Sequence, residues 1–163
     1  HAFGQWVARK LAADRPDLVR GVVLAAAAAR TIRPELRAAL AVCVDTARPE
    51  AERRAALRVA FFAPGHEPPP LWLSGWHPEA GKSQHAASAA TPQSEWWTAG
   101  TAPVLDLQAA HDPWRPRDTV DDFRRDLGAD RVTVVVLPDC SHALFPEQSE
   151  AAVQAVLEWL RHL

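Results

Sequence analysis

The 163-residue sequence contains no methionine and opens on histidine, so its first residue is not a translation start and the sequence is expected to continue upstream. It has only two cysteines, Cys43 and Cys140, far apart along the chain. That excludes a disulfide framework and makes a reducing cytoplasm the expected compartment. There is no excess of either charge: 18 Lys and Arg stand against 20 Asp and Glu, a net charge of -2. A chain so balanced has no basic face for nucleic acid or an anionic membrane, which leaves small neutral molecules as the expected partners. The longest small apolar run, Gly21 to Ala29, falls far short of the ~18 to 20 residues needed to span a bilayer. The opening His1 to Trp6 has no basic region followed by an apolar stretch, so no secretion signal is read there. His66, His77 and His85 lack carboxylates or cysteines at ligand spacing, so no metal is expected, and no cofactor either.

What is present is an apolar fraction of 48% with 23% charged residues, the texture of one globular domain with its own core. Trp6, Val7, Leu11 and Ala12 recur at helical spacing before Pro16, which predicts a helix over 4–14. Val19, Val22, Val23 and Leu24 form a continuous apolar run, as in a parallel strand covered on both faces, and predict a strand over 20–26. Pro34 and Pro49, each followed by Glu and then by Ala, Leu and Arg, predict helices over 34–46 and 49–62. Pro64 and Gly65 stop the second helix. The stretch to residue 100, rich in proline and tryptophan, reads as irregular or short-helical.

Strand and helix then alternate again, with strands over 103–109 and 131–137 and helices over 117–127 and 147–163. Val153, Val156, Leu157 and Leu160 give the last helix an apolar face. The order implies an α/β chain in which helices cover a parallel sheet of about three strands, with a helical excursion between the first two strands. Arg9, Arg15, Arg53, Arg54, Arg124 and Arg125 fall on these helices and read as solvated faces.

Three segments lie past strand ends or at a helix start, where open parallel sheets bind ligands: His1-Ala2-Phe3-Gly4, His111-Asp112-Pro113 and Asp139-Cys140-Ser141-His142. The first resembles the nucleophile elbow G-x-S-x-G of the α/β-hydrolases without its first Gly, and QWVARKLAADRPDLVRGVVL after it resembles that family's helix, turn and next strand. Ala102 to Gln108 with Asp112-Pro113 is similar to the strand and loop that deliver the family's acid, and Pro138 to Pro146 to its histidine loop. The resemblance covers 1–30 and 101–163, and implies the C-terminal part of the α/β-hydrolase fold with 31–100 as a helical lid. It implies Asp112 as the acid and His142 as the base. It further implies Ala2 at the nucleophile position and the Phe3 backbone N–H as an oxyanion donor. Asp106, within the strand, is the fallback acid. Trp72, Trp76, Trp96 and Trp97 are the candidates to line a substrate cavity under the lid.

Ala2 alters the chemistry that the resemblance implies, because a methyl group cannot attack a carbonyl. Cys140 and Ser141 adjoin His142, but loop neighbours generally point away from the same imidazole. Three functions follow: non-covalent base catalysis by Asp112 and His142 on a small apolar, ester-like substrate; a ligand- or partner-binding module; or a serine hydrolase in which Ala2 replaces the serine. The family sheet carries about five strands up to the elbow, so the 20–26 strand is expected to expose an edge, and residues 1–163 alone to be poorly soluble or partly molten and inactive, with activity expected of the full-length parent.

Overall fold

The computed structural model describes residues 1–163. Three parallel strands, β1 (Val22–Ala25), β2 (Val104–Ala109) and β3 (Val132–Leu137), form one sheet in the order β1-β2-β3. Register aligns Val22 with Val104 and Val104 with Val132. All six residues of β2 are buried, which is why its segment reads as an unbroken apolar run interrupted only by Asp106 and Gln108. β3 is an edge strand, with Thr133 exposed and Val134 to Val136 half-buried.

Side chains alternate across the sheet, so Val104, Asp106 and Gln108 face one layer and Leu105, Leu107 and Ala109 the other. The first layer holds α1 (Gly4–Asp14) and α6 (Asp122–Leu127), whose Ala12, Phe123 and Leu127 pack with Val22, Leu24 and Val104. The second layer is the short α7 (Leu144–Glu147) and α8 (Ser149–Leu160), with Leu144, Ala152 and Trp159 on Leu105 and Leu107. Between β1 and β2 run α2 (Pro34–Val44), α3 (Glu50–Ala60), α4 (Leu71–Ser74) and α5 (Pro78–Ala90). Leu36, Cys43 and Leu57 join α2 and α3, and Phe61, Phe62 and Trp114 extend that core toward the loop after β2. No helix is long and apolar enough to cross a membrane.

Four expectations are corrected. The 64–100 stretch contains the thirteen-residue α5, which buries no side chain and so carries no apolar periodicity to betray it. On α1, Val7 and Leu11 are exposed while Gln5, Arg9 and Ala12 face the sheet. On α8, Val153, Leu157 and Leu160 are exposed, and Ala152 and Trp159 are the buried positions. Arg9 and Arg53 are buried instead of solvated. Arg53 donates to the Cys43 and Leu73 carbonyls and so joins the ends of α2 and α4. Arg9 lies 4.2 Å over the Phe123 ring and 4.6 Å over that of Trp97, and donates to the Trp97 carbonyl.

Gly100 sits at φ +59°, and a Cβ there would lie 2.5 Å from the Ala12 carbonyl oxygen. The left-handed backbone alone costs a side chain about 1–3 kcal/mol, and α1 would also have to move. Gly100→Ala is expected to lower the thermal midpoint by several degrees; an unchanged midpoint would mean that α1 does not press on this turn.

Candidate functional site

Asp112, His142 and the His1-Ala2-Phe3 turn meet beyond the carboxyl ends of the strands. Asp112 follows β2 by three residues, in a loop closed by its N–H on the Ala109 carbonyl and by the Arg115 N–H on its own carbonyl, each at 3.2 Å. One carboxylate oxygen, Oδ1, accepts the Trp114 N–H at 2.8 Å. The other, Oδ2, lies 3.0 Å from His142 Nδ1, with both side chains buried. A carboxylate accepts, so Nδ1 carries the proton, and in the neutral imidazole Nε2 keeps its lone pair. His142 Nε2 makes no hydrogen bond within the protein and is not sealed from solvent.

The imidazole is held in an aromatic frame. The Phe61 ring meets it edge-on at 5.5 Å, the Trp114 ring lies 5.5 Å away at 41°, and the His1 ring 5.1 Å away at 44°. Trp114 is itself fixed by its indole N–H, which donates to the Ala60 carbonyl at 2.6 Å. His1 Nε2 donates to the His142 carbonyl at 2.7 Å, which ties the start of the first turn to the histidine loop.

Ala2 has φ +46°, a left-handed conformation that costs a non-glycine residue on the order of 1–2 kcal/mol. Its carbonyl accepts the Gln5 N–H, so the strained residue caps the start of α1. Phe3 precedes that helix with an amide that donates no hydrogen bond within the protein. An unsatisfied N–H at a helix start attracts a developing negative charge.

The loop before His142 is pinned by Glu147, whose side chain is only 2% exposed. It accepts the Ser141 N–H and the Ala63 N–H, each at 2.7 Å, and His66 Nδ1 lies 3.4 Å away. Ser141 Oγ donates to the His111 carbonyl and Cys140 is fully buried, its thiol pushed up to about 11, chiefly by burial. Neither side chain is presented to the imidazole as a nucleophile. Cys43 and Cys140 are both free thiols.

Of the four tryptophans, Trp72 and Trp76 pack on Phe61 at 5.4 and 5.9 Å and so stand behind the ring that touches His142. Trp97 belongs to the core with Val22 and Val104, not to a cavity at the imidazole. Trp96 is also core, but its edge lines a groove of about 320 Å³ between α1 and α5, together with Phe3, Trp6 and Val7. A larger groove, about 560 Å³, lies at the opposite end of β1 beside Leu18, Gly21 and Leu163, remote from Asp112 and His142.

Asp106 is not near His142. It forms a buried ion pair with Arg115 at 3.0 Å, accepts from Gln108 at 2.6 Å, and its carboxyl is raised to about 6 because burial outweighs the Arg115 charge. Sequence reasoning passed over Phe61, Trp114, Arg115 and Glu147. Only Glu147 had a local signal, a carboxylate at the start of the closing helix a few residues after the histidine.

No protein-family model matches the chain. No curated protein sequence matches it either. Solved structures do. An alpha/beta hydrolase fold protein from Burkholderia ambifaria has TM-score 0.64 at 18% identity, covering 97% of this chain and 63% of that one. The 2-hydroxy-6-oxo-6-phenylhexa-2,4-dienoate hydrolase of Rhodococcus sp. strain RHA1 has TM-score 0.68 at 20% identity, covering 99% and 62%. A serine hydrolase involved in carbazole degradation has TM-score 0.70 at 18% identity, covering 100% and 62%. The chain therefore spans about three fifths of the length of the structures it is similar to.

Proposed function

We propose that this chain, whose fold is that of the α/β-hydrolases, supplies the acid–base half of a hydrolytic site in which Asp112 and His142 act without a covalent nucleophile. The observation that carries the reading is the buried Asp112–His142 bond with an unengaged Nε2, beside the His1 ring that leads into the strained turn at Ala2. In an α/β-hydrolase that turn is the nucleophile elbow, and residues 31–100 are the lid over it.

The chemistry follows from the groups at hand. A water oxygen adds to the carbonyl carbon of an ester-like substrate while His142 Nε2 takes its proton. Asp112 stabilises the imidazolium, and the Phe3 N–H faces the new oxyanion. When the carbon–oxygen bond breaks, the imidazolium returns the proton to the leaving alcohol, so an acid and an alcohol are released. The groove bounded by Phe3, Trp6 and Trp96 suits an apolar substituent. Base catalysis of this kind contributes about 10²- to 10⁴-fold. His142→Ala is expected to remove that factor from turnover on a panel of small esters; a variant as active as the parent protein would remove His142 from the mechanism.

Ala2 favours a second reading, a binding module that keeps the pocket and has lost the reaction. It is distinguished by saturable binding of an ester with no product formed, unaffected by His142→Ala.

A further inference from the structure

The segments on both sides of His142 are fastened to one short stretch at the end of α3. Ala143 N–H donates to the Phe61 carbonyl at 2.8 Å, and Ser141 N–H and Ala63 N–H converge on the two oxygens of Glu147. The same stretch carries the Phe61 ring that meets the imidazole edge-on and the Ala60 carbonyl that anchors Trp114. Glu147 is thus a carboxylate removed from water with no Lys or Arg beside it. Two backbone amides satisfy it, with His66, about one-third exposed, as its only basic neighbour within 4 Å. Amide bonds to a carboxylate are charge-assisted and short, which makes them stiff positional restraints.

We propose that Glu147 is a positioning residue for His142: its carboxylate clamps the peptide before the imidazole to the end of α3 and so holds the ring in register with Asp112. The proposal rests on the reading of Asp112 and His142 as an acid–base pair only for its effect on turnover; its structural content stands on the clamp itself. The alternative is a plain cap, in which Glu147 only ties off the chain at Ser141 and Ala63 and does nothing to the ring. A cap would change melting without changing the imidazole.

Glu147→Gln separates the two. It keeps the shape of the side chain but turns one acceptor oxygen into an N–H₂ that faces another N–H, so one arm of the clamp opens. Glu147→Asp withdraws both oxygens by one methylene. Nitrogen–proton spectra of histidine side chains, with amide hydrogen exchange at Ser141 and Ala63, read the outcome in the whole protein. In Glu147→Gln the Nδ1 proton of His142 is expected to exchange with water about tenfold faster, with the Ser141 and Ala63 amides losing protection together. Turnover should fall by about 10- to 10²-fold with KM nearly unchanged, as for a small misplacement of a reacting group. Glu147→Asp should show the same direction.

An unaltered His142 signal in both variants, whatever their melting temperatures, would overturn the proposal. Asp112→Asn is the control that keeps this failure distinct. If Asp112→Asn disturbs the imidazole and Glu147→Gln does not, the acid–base pair survives and the clamp is only a cap. If the Glu147 variants disturb the imidazole and turnover is absent throughout, the clamp survives and hydrolysis does not.

Discussion

Ala2→Ser is expected to turn the site into a covalent one. A hydroxymethyl group would replace the methyl on a turn already at positive φ, beside the loop that carries His142, so no backbone rearrangement is required of the new side chain. With His142 Nε2 unengaged and Asp112 holding Nδ1, the new Oγ would find its base in place. An active-site-directed fluorophosphonate should label Ala2→Ser stoichiometrically at position 2 and leave the parent protein unlabelled. Ester turnover should rise by roughly 10³-fold or more, since a complete nucleophile and base act as a unit whose parts are far from additive. Failure to label, with the variant folded, would mean that position 2 is not aimed at His142 and that the elbow reading is mistaken.

The largest expected effect on stability lies in the buried layer that Asp106 faces. Asp106 and Arg115 are exposed by 0% and 1% as side chains, and the guanidinium also donates to the Thr119 and Ala27 carbonyls while stacking 4.0 Å over Phe123. Replacing a buried ion pair by apolar residues is often neutral, but removing one partner strands the other, at about 3–5 kcal/mol. Arg115→Met should cost that much at neutral pH. The sign of its pH dependence follows from Asp106, whose folded carboxyl, at about 6, lies above its ordinary 3.8. Its contribution to stability is therefore complete below about pH 4 and is lost as pH rises through about 6. Without Arg115 the folded carboxyl rises further, so the deficit of Arg115→Met should be small near pH 4, where Asp106 is neutral in both proteins, and should grow toward pH 8. A deficit independent of pH would show that Arg115 does not set the charge state of Asp106.

This buried pair marks where the sequence stops being readable. The order of strands and helices follows from apolar runs and prolines, and those signals are local: Val22 to Leu24, the start of α2 at Pro34 and the valines of β3 each fix their own element. The meeting of Asp112 with His142 was also legible, because each ends a strand of the same parallel sheet and neighbouring strands bring their ends together. Arg9 was not, since its burial depends on Phe123, Trp97 and the Asp106 charge, all far away along the chain. The same cause reverses the face of α1, where Arg9 turns toward Phe123 and the Asp106 charge and Gln5 is buried with it, leaving Val7 and Leu11 outside. α5 was invisible for the opposite reason: it contacts too little for burial to have shaped its sequence. Trp97 looks like a cavity residue by type and is core by position, whereas Trp96 is core and also lines the groove between α1 and α5.

The most direct measurement is the tautomer of His142, read from nitrogen–proton correlation spectra of the imidazole in the neutral state. A pair built to move protons requires Nδ1–H donated to Asp112 and a bare Nε2, and that preference should disappear in Asp112→Asn. A proton on Nε2, or a tautomer indifferent to Asp112→Asn, would contradict the assignment of this pair as the base of the site.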